Sequence, residues 1–135
     1  MENAFGKLLE KHQAQFYVVF RIFVGLLFFQ HGAQKLLGWF GAQQTAALFS
    51  LMGLAGFIEL FGGLAIALGL LTRLSALGGI ATMIGAYFMA HFPNGWIPII
   101  NKGELALLYF AAFLVLIVYG AGKWSLEKAL FKKEL

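Results

Sequence analysis

An all-α fold, a four-transmembrane-helix antiparallel bundle, is the class this sequence predicts, on three observations. Hydrophobic residues make up 61% of the 135 residues, charged residues only 12%, and the mean hydropathy is +0.81. A soluble chain of this size would lack the polar residues to cover its surface. Four segments are long enough to cross a hydrocarbon core of ~30 Å, which takes about 20 helical residues. Their apolar residues run on continuously, with Gly and Ala among them, rather than alternating with the period of two that a transmembrane β-barrel requires.

The first span is expected over 16–37. Lys7 and Lys11 precede it as they would a secretory signal. However, Arg21 interrupts the apolar run, and Gln30-His31 stands where a small-x-small cleavage site would be needed, so the segment reads as retained. Arg21, Gly25, Phe28, Gly32 and Lys35 follow the seam spacing of packed helices and put two cations on one face. The second span is expected over 46–71, with Glu59 near its middle. Ala55, Glu59, Gly63 and Ala67 recur one helical turn apart, so Glu59 should face protein through a stripe of small residues.

Leu71-Thr72-Arg73 reads as a tight hairpin, which makes the second and third spans antiparallel neighbours. The third span is expected over 74–92, with a small-residue stripe of Gly78, Thr82, Ala86 and Ala90. After it, His91-Phe92-Pro93-Asn94-Gly95-Trp96-Ile97-Pro98 cannot continue a helix, because two prolines and a glycine break it. A structured outer loop should stand there. The fourth span is expected over 104–122, and the whole chain, 1–135, reads as one domain.

Basic residues orient the bundle. Lys7, Lys11, Arg73, Lys123, Lys128, Lys132 and Lys133 fall on the side of the termini, and only Lys35 and Lys102 on the other. By the positive-inside rule both termini are expected in the cytoplasm, with Trp39 and Trp96 at the outer interface and Trp124 at the inner one. The sequence pI of about 9.5 reflects this inner collar, which suits anionic lipid; nothing beyond it suggests nucleic acid.

Chemistry is constrained by what is missing as well as by what is present. With no cysteine, the chain excludes dithiol exchange, thiolate-held clusters and disulfides. An ionised Glu59 inside the bilayer costs at least ~2.5 kcal/mol without a partner. Arg21 is the expected partner, its long stem carrying the guanidinium toward the membrane centre. Such an ion pair can serve purely to fix which helix faces meet, or it can floor a substrate cavity; the residues leave both open.

At the outer end Gln30, His31, Lys35, His91, Asn101 and Glu104 fall near one membrane face, with Tyr87 one turn from His91. Two imidazoles and a carboxylate could hold a metal. Yet they come from different helices, without a His-x-x-x-His or Glu-x-x-His pair, and no metal is assigned. The groups suit an amphipathic ring compound better. A quinone headgroup presents two carbonyl acceptors to donors such as His, Lys or Tyr, and a quinol releases protons that His or Glu can accept. The hypothetical quinone-binding set is therefore His31, Lys35, Glu59, Tyr87, His91 and Glu104. Interfacial hydrogen bonding at helix ends is the plain alternative for the histidines.

Several short pieces also form a recognisable order: Arg21-Ile-Phe-Val-Gly25 with His31-Gly32-Ala-Gln-Lys35-Leu36, Glu59-Leu-Phe-Gly62-Gly63 with Gly69-Leu-Leu-Thr72-Arg73, Met83 and Ala86, Asn101-Lys-Gly103-Glu104 with Leu108-Tyr109, and Gly120-Ala-Gly122-Lys-Trp-Ser125-Leu-Glu. In these the chain resembles the DoxX family of small four-helix membrane proteins over nearly its whole length, although Asp is commoner where Glu127 stands. The resemblance implies a bacterial or archaeal inner-membrane protein. It also implies a neighbourhood of quinone-dependent thiosulfate oxidation, quinol oxidase assemblies, quinone or catechol resistance, and thiol or superoxide stress.

The leading expectation is a redox-associated membrane subunit that binds a quinone or related aromatic at its outer face and works with a separate redox enzyme or as a homo-oligomer. No flavin or nucleotide fingerprint and no convincing haem ligation favours an autonomous oxidoreductase, and no covalent cofactor is implied. An assembly subunit without a ligand site, and an oligomeric small-solute transporter, are the readings from other classes.

Overall fold

The structure, a computed structural model, describes residues 3–135, and these are helical with connecting turns. In chain order the helices are α1 (Ala4–Lys11), α2 (Gln13–Leu37), α3 (Leu51–Leu68), α4 (Thr72–Asn94), α5 (Pro98–Asn101), α6 (Glu104–Tyr119) and α7 (Leu126–Phe131). Helices α2, α3 and α4 are long and apolar enough to cross a membrane, and α6 is a shorter apolar helix of 16 residues, about 24 Å long. Two stretches are π-wound: Ile58–Gly62 inside α3, and Tyr87–His91 near the end of α4, which closes with a 3₁₀ turn over Phe92–Asn94.

Helix α2 lies along α3, α3 against α4, and α4 against α6. Phe28 closes the bundle from α2 to α6, with its ring 4.7 Å from Phe113 and 5.4 Å from Tyr109. Lipid is as apolar as leucine, so helix association rests on close packing and interhelical hydrogen bonds rather than on water exclusion. The α2–α3 seam shows this most directly. A Cβ at Gly25 would lie 2.7 Å from the Gly63 carbonyl oxygen, and one at Gly32 would strike the Leu60 backbone. Gly25 thus opposes Gly63 and Ala67, Gly32 opposes Gly56 and Leu60, and Gly63 opposes Phe29. These contacts set a single antiparallel register along the pair.

Element boundaries depart from the expected ones for local reasons. The second span begins at Leu51 rather than 46. Ala46 N–H instead binds the Lys35 carbonyl at 2.8 Å, closing the end of α2, and the Ser50 hydroxyl caps Gly53 N–H at 3.0 Å. The tight turn sits at 69–71, where Gly69 (φ +70°) and Leu71 (φ +48°) are left-handed, so Thr72 and Arg73 already belong to α4. The buried stripe of α4 is Thr72, Ala76, Gly79, Met83 and Tyr87, one residue out of phase with the expected Gly78-Thr82-Ala86-Ala90 stripe. Phe113 packs against Gly79 and draws that face inward. Helix α6 stops at Tyr119 instead of 122, because Gly120 and Gly122 both take positive φ. Neither α1 nor α7 was expected. The stripe on α2 holds as expected, with Arg21, Gly25, Phe28 and Gly32 buried.

Candidate functional site

Glu59 is 3% exposed, and its carboxylate takes two hydrogen bonds from the Lys35 ammonium, 2.7 Å to Oε1 and 2.5 Å to Oε2. The expected Arg21–Glu59 pair does not form. In the α2–α3 register Arg21 lies beside Gly69, roughly ten residues and about 15 Å along α3 from Glu59, beyond the reach of its stem. Lys35 stands beside Gly56, less than one turn from Glu59, and its four-carbon stem covers that gap.

Arg21 finds its partners at the other end of the bundle. The short α6 leaves carbonyls without intrahelical donors at its C-terminus, in a region where unsatisfied backbone is costly. The buried guanidinium donates to the carbonyls of Ala121, Lys123 (3.2 Å), Trp124 (3.2 Å) and Ala67 (3.5 Å). The Tyr17 hydroxyl donates to Gly120, and Arg73 to Ile117 (3.0 Å) and Val118 (3.4 Å). The partial negative charge of a helix C-terminus can neutralise a cation without any carboxylate. Glu127, fully buried, completes this knot at the end of the bundle that holds the termini by accepting the N–H of left-handed Leu71 at 2.8 Å.

The six residues of the hypothetical quinone-binding set divide into three groups. Lys35 and Glu59 lie together, with His31 nearby on α2 and within electrostatic range of Lys35. Tyr109, buried on α6, meets the His31 ring edge-on at 5.8 Å and lies within electrostatic range of Glu59. Among the described residues, none of the hydrogen bonds in this group uses the His31 imidazole or the Tyr109 hydroxyl. The Lys35 side chain retains 24% of its exposure, whereas the Glu59 side chain retains 4%, so Lys35 is the partner at the protein surface.

Tyr87 and His91 form the second group, joined through Asn101 rather than directly. Asn101 is 1% exposed. Its amide donates to the Tyr87 hydroxyl (3.2 Å) and the Gly95 carbonyl (3.0 Å), and its side-chain oxygen accepts Gly103 N–H (2.8 Å). The His91 Nδ1 bonds the Asn101 carbonyl at 3.1 Å, and since a carbonyl can only accept, Nδ1 carries the proton. This network holds the outer loop in shape. Glu104 stands alone, exposed in the first turn of α6, where a negative charge suits the helix N-terminus.

Tyr109 was missed as a site residue, although it lies on the stripe Ala106, Tyr109, Phe113 and Leu116, whose spacing marks the buried face of α6. Two apolar grooves flank α4. One, of about 520 Å³, lies between α3 and α4 along Phe57, Phe61, Gly62, Ser75 and Gly78. The other, of about 170 Å³, lies between α4 and α6 along Met83, Tyr87, Phe88 and Phe110. Neither is lined by the Lys35–Glu59 pair.

Fold and site together define a small helical membrane protein with a buried ion pair in the half away from the termini and an arginine-clamped end on the side of the termini. The chain belongs to the DoxX family, whose profile matches residues 16–92. A Haemophilus influenzae protein without a functional name is 38% identical over 93% of this chain and 98% of its own. The Escherichia coli "Inner membrane protein YqjF" is 33% identical over 86% of this chain and 92% of its own. A Bacillus subtilis relative, named "Putative oxidoreductase CatD", is 29% identical over 85% of this chain and 87% of its own. No solved structure matches the chain significantly.

Proposed function

We propose that the protein is a redox-associated subunit of the inner membrane, with both termini cytoplasmic, that holds a quinone headgroup or a related aromatic in its outer half and works with a separate redox enzyme. The observation that carries this reading is the Lys35–Glu59 pair, with Glu59 in a π-wound turn of α3 and His31, one helical turn from Lys35 on α2, edge-on to Tyr109. Single π-turns inside α-helices occur frequently at functional sites. Carbonyl oxygens need donors, and the Tyr109 hydroxyl and His31 imidazole are the donors next to the pair that its own hydrogen bonds leave unused. The Glu59 carboxylate, tied to Lys35, supplies a proton acceptor close by. The oxidoreductase name of the Bacillus subtilis relative supports the same neighbourhood.

A second reading, an assembly subunit without a ligand site, is favoured by the apolar grooves standing apart from the pair. A soluble quinone analogue added to purified protein separates the two. If the site binds it, the analogue raises the melting temperature, and His31→Ala and Tyr109→Phe each reduce that rise while leaving ligand-free melting nearly unchanged. An analogue that stabilises neither the parent protein nor any variant would leave the assembly reading in place.

A further inference from the structure

Helix α1 has no visible means of support within the chain. None of its residues is buried, and a single residue, His12, separates it from α2. Eight residues without tertiary packing form at best a marginal helix in water. Its sequence nevertheless specifies one: Asn3 caps Gly6 N–H at 2.7 Å, and at 100° per residue Phe5, Leu8, Leu9 and His12 fall on one face. Phe5 is 66% exposed and Leu8 54%. Lys11 flanks that face about 60° from Leu8, whereas Lys7 lies about 40° further round and shares the polar face with Glu10. Like charges one turn apart weaken a helix unless anions lie against them.

We propose that α1 lies flat in the headgroup region of the leaflet at the terminal end of the bundle, where anionic phospholipid binds Lys7 and Lys11 while Phe5, Leu8 and Leu9 enter the acyl boundary. The one-residue link keeps α1 next to the end of the α2 span. Charge complementarity chooses the lipid: the ammonium groups of Lys7 and Lys11, which enter no ion pair among the described residues, stand over an apolar face and match phosphate oxygens above acyl chains. The same end of the bundle supplies Trp124, 66% exposed with the Lys123 ammonium 5.4 Å from its ring centroid, and Lys132 and Lys133 beyond Phe131. An exposed tryptophan flanked by lysine marks the level of a headgroup layer.

The test is amide hydrogen exchange on the full-length protein in nanodiscs of phosphatidylcholine, with and without phosphatidylglycerol. Phosphatidylglycerol should slow exchange across residues 4–11, and the gain should shrink about fivefold for each lysine removed in K7Q and K11Q. Unchanged protection of α3 and α6 identifies the variants as folded. Equal protection of α1 in both lipids, or a gain that persists in K7Q/K11Q, overturns the proposal. So does protection that appears only when two copies share a disc, because a second chain would then be the cover.

Discussion

Glu59 accepts two hydrogen bonds from Lys35 at a position where water cannot easily replace the ammonium beside the buried carboxylate. Removing one therefore leaves the other charged and poorly solvated. Glu59→Gln or Lys35→Met alone should lower stability in detergent by ~3–5 kcal/mol, and the double substitution should cost clearly less than the sum. A denaturation series on the four proteins reads this coupling directly. Arg21 supplies the contrast, because its partners are carbonyls at the opposite end of the bundle. Arg21→Gln and Glu59→Gln should then add to within ~0.5 kcal/mol, and a larger interaction energy would place the guanidinium near Glu59 after all. That Glu59 faces protein was legible from the small residues one turn away on either side. Its partner was not, because two cations share the α2 stripe and only the register against α3 brings one within reach.

At the scale of elements, the glycines divide by what opposes them. Gly63 meets the backbone of Gly25 and Phe29, whereas a Cβ at Gly85 would meet nothing within 4 Å. Gly63→Leu should force α2 and α3 apart and cost at least ~1–3 kcal/mol. Gly85→Ala should be neutral or stabilise by up to ~1 kcal/mol, because alanine restricts the unfolded backbone. Melting curves of the two variants should move in opposite directions or, at the least, differ clearly. The inner end shows why an element boundary can matter more than its length. Helix α6 stops at Tyr119; Arg73 of α4 meets carbonyls of its last turn, and Tyr17 and Arg21 of α2 meet those that follow. No propensity rule places those donors, since Tyr17 and Arg21 lie 103 and 102 positions from the carbonyls they meet and Arg73 lies 44 positions from its own.

Across the whole molecule, the basic bias and the four spans determine the expected topology. A reporter fused after Leu135 should be active when it requires the cytoplasm and silent when it requires the outside; the reverse pattern would invert the bundle. The division of the outer residues also sharpens the ligand test. Glu104→Gln should leave quinone-analogue binding intact, because Glu104 is exposed and takes part in none of the hydrogen bonds or ion pairs among the described residues. His31→Ala should weaken it. Equal losses for both, measured by the ligand-induced shift in melting temperature, would place the site on the outer loop instead of at Lys35–Glu59.

Composition, span count, the buried stripe of α2 and the burial of Glu59 and Gly63 on α3 were determined by the sequence alone, because apolar content and one-turn spacing act locally, whereas Ala55 and Ala67 are only half-buried and Gly53, Gly56 and Ile66 take their place. The order of motifs likewise sufficed to identify the family. Tertiary structure decided the rest. Whether Lys35 or Arg21 meets Glu59 depends on how far α2 slides along α3, and the backbone contacts of Gly25, Gly32 and Gly63 fix that slide. The same cause separates His31 from His91: a shared depth in the membrane does not put two side chains in one cluster when Asn101 binds one of them and Tyr109 faces the other.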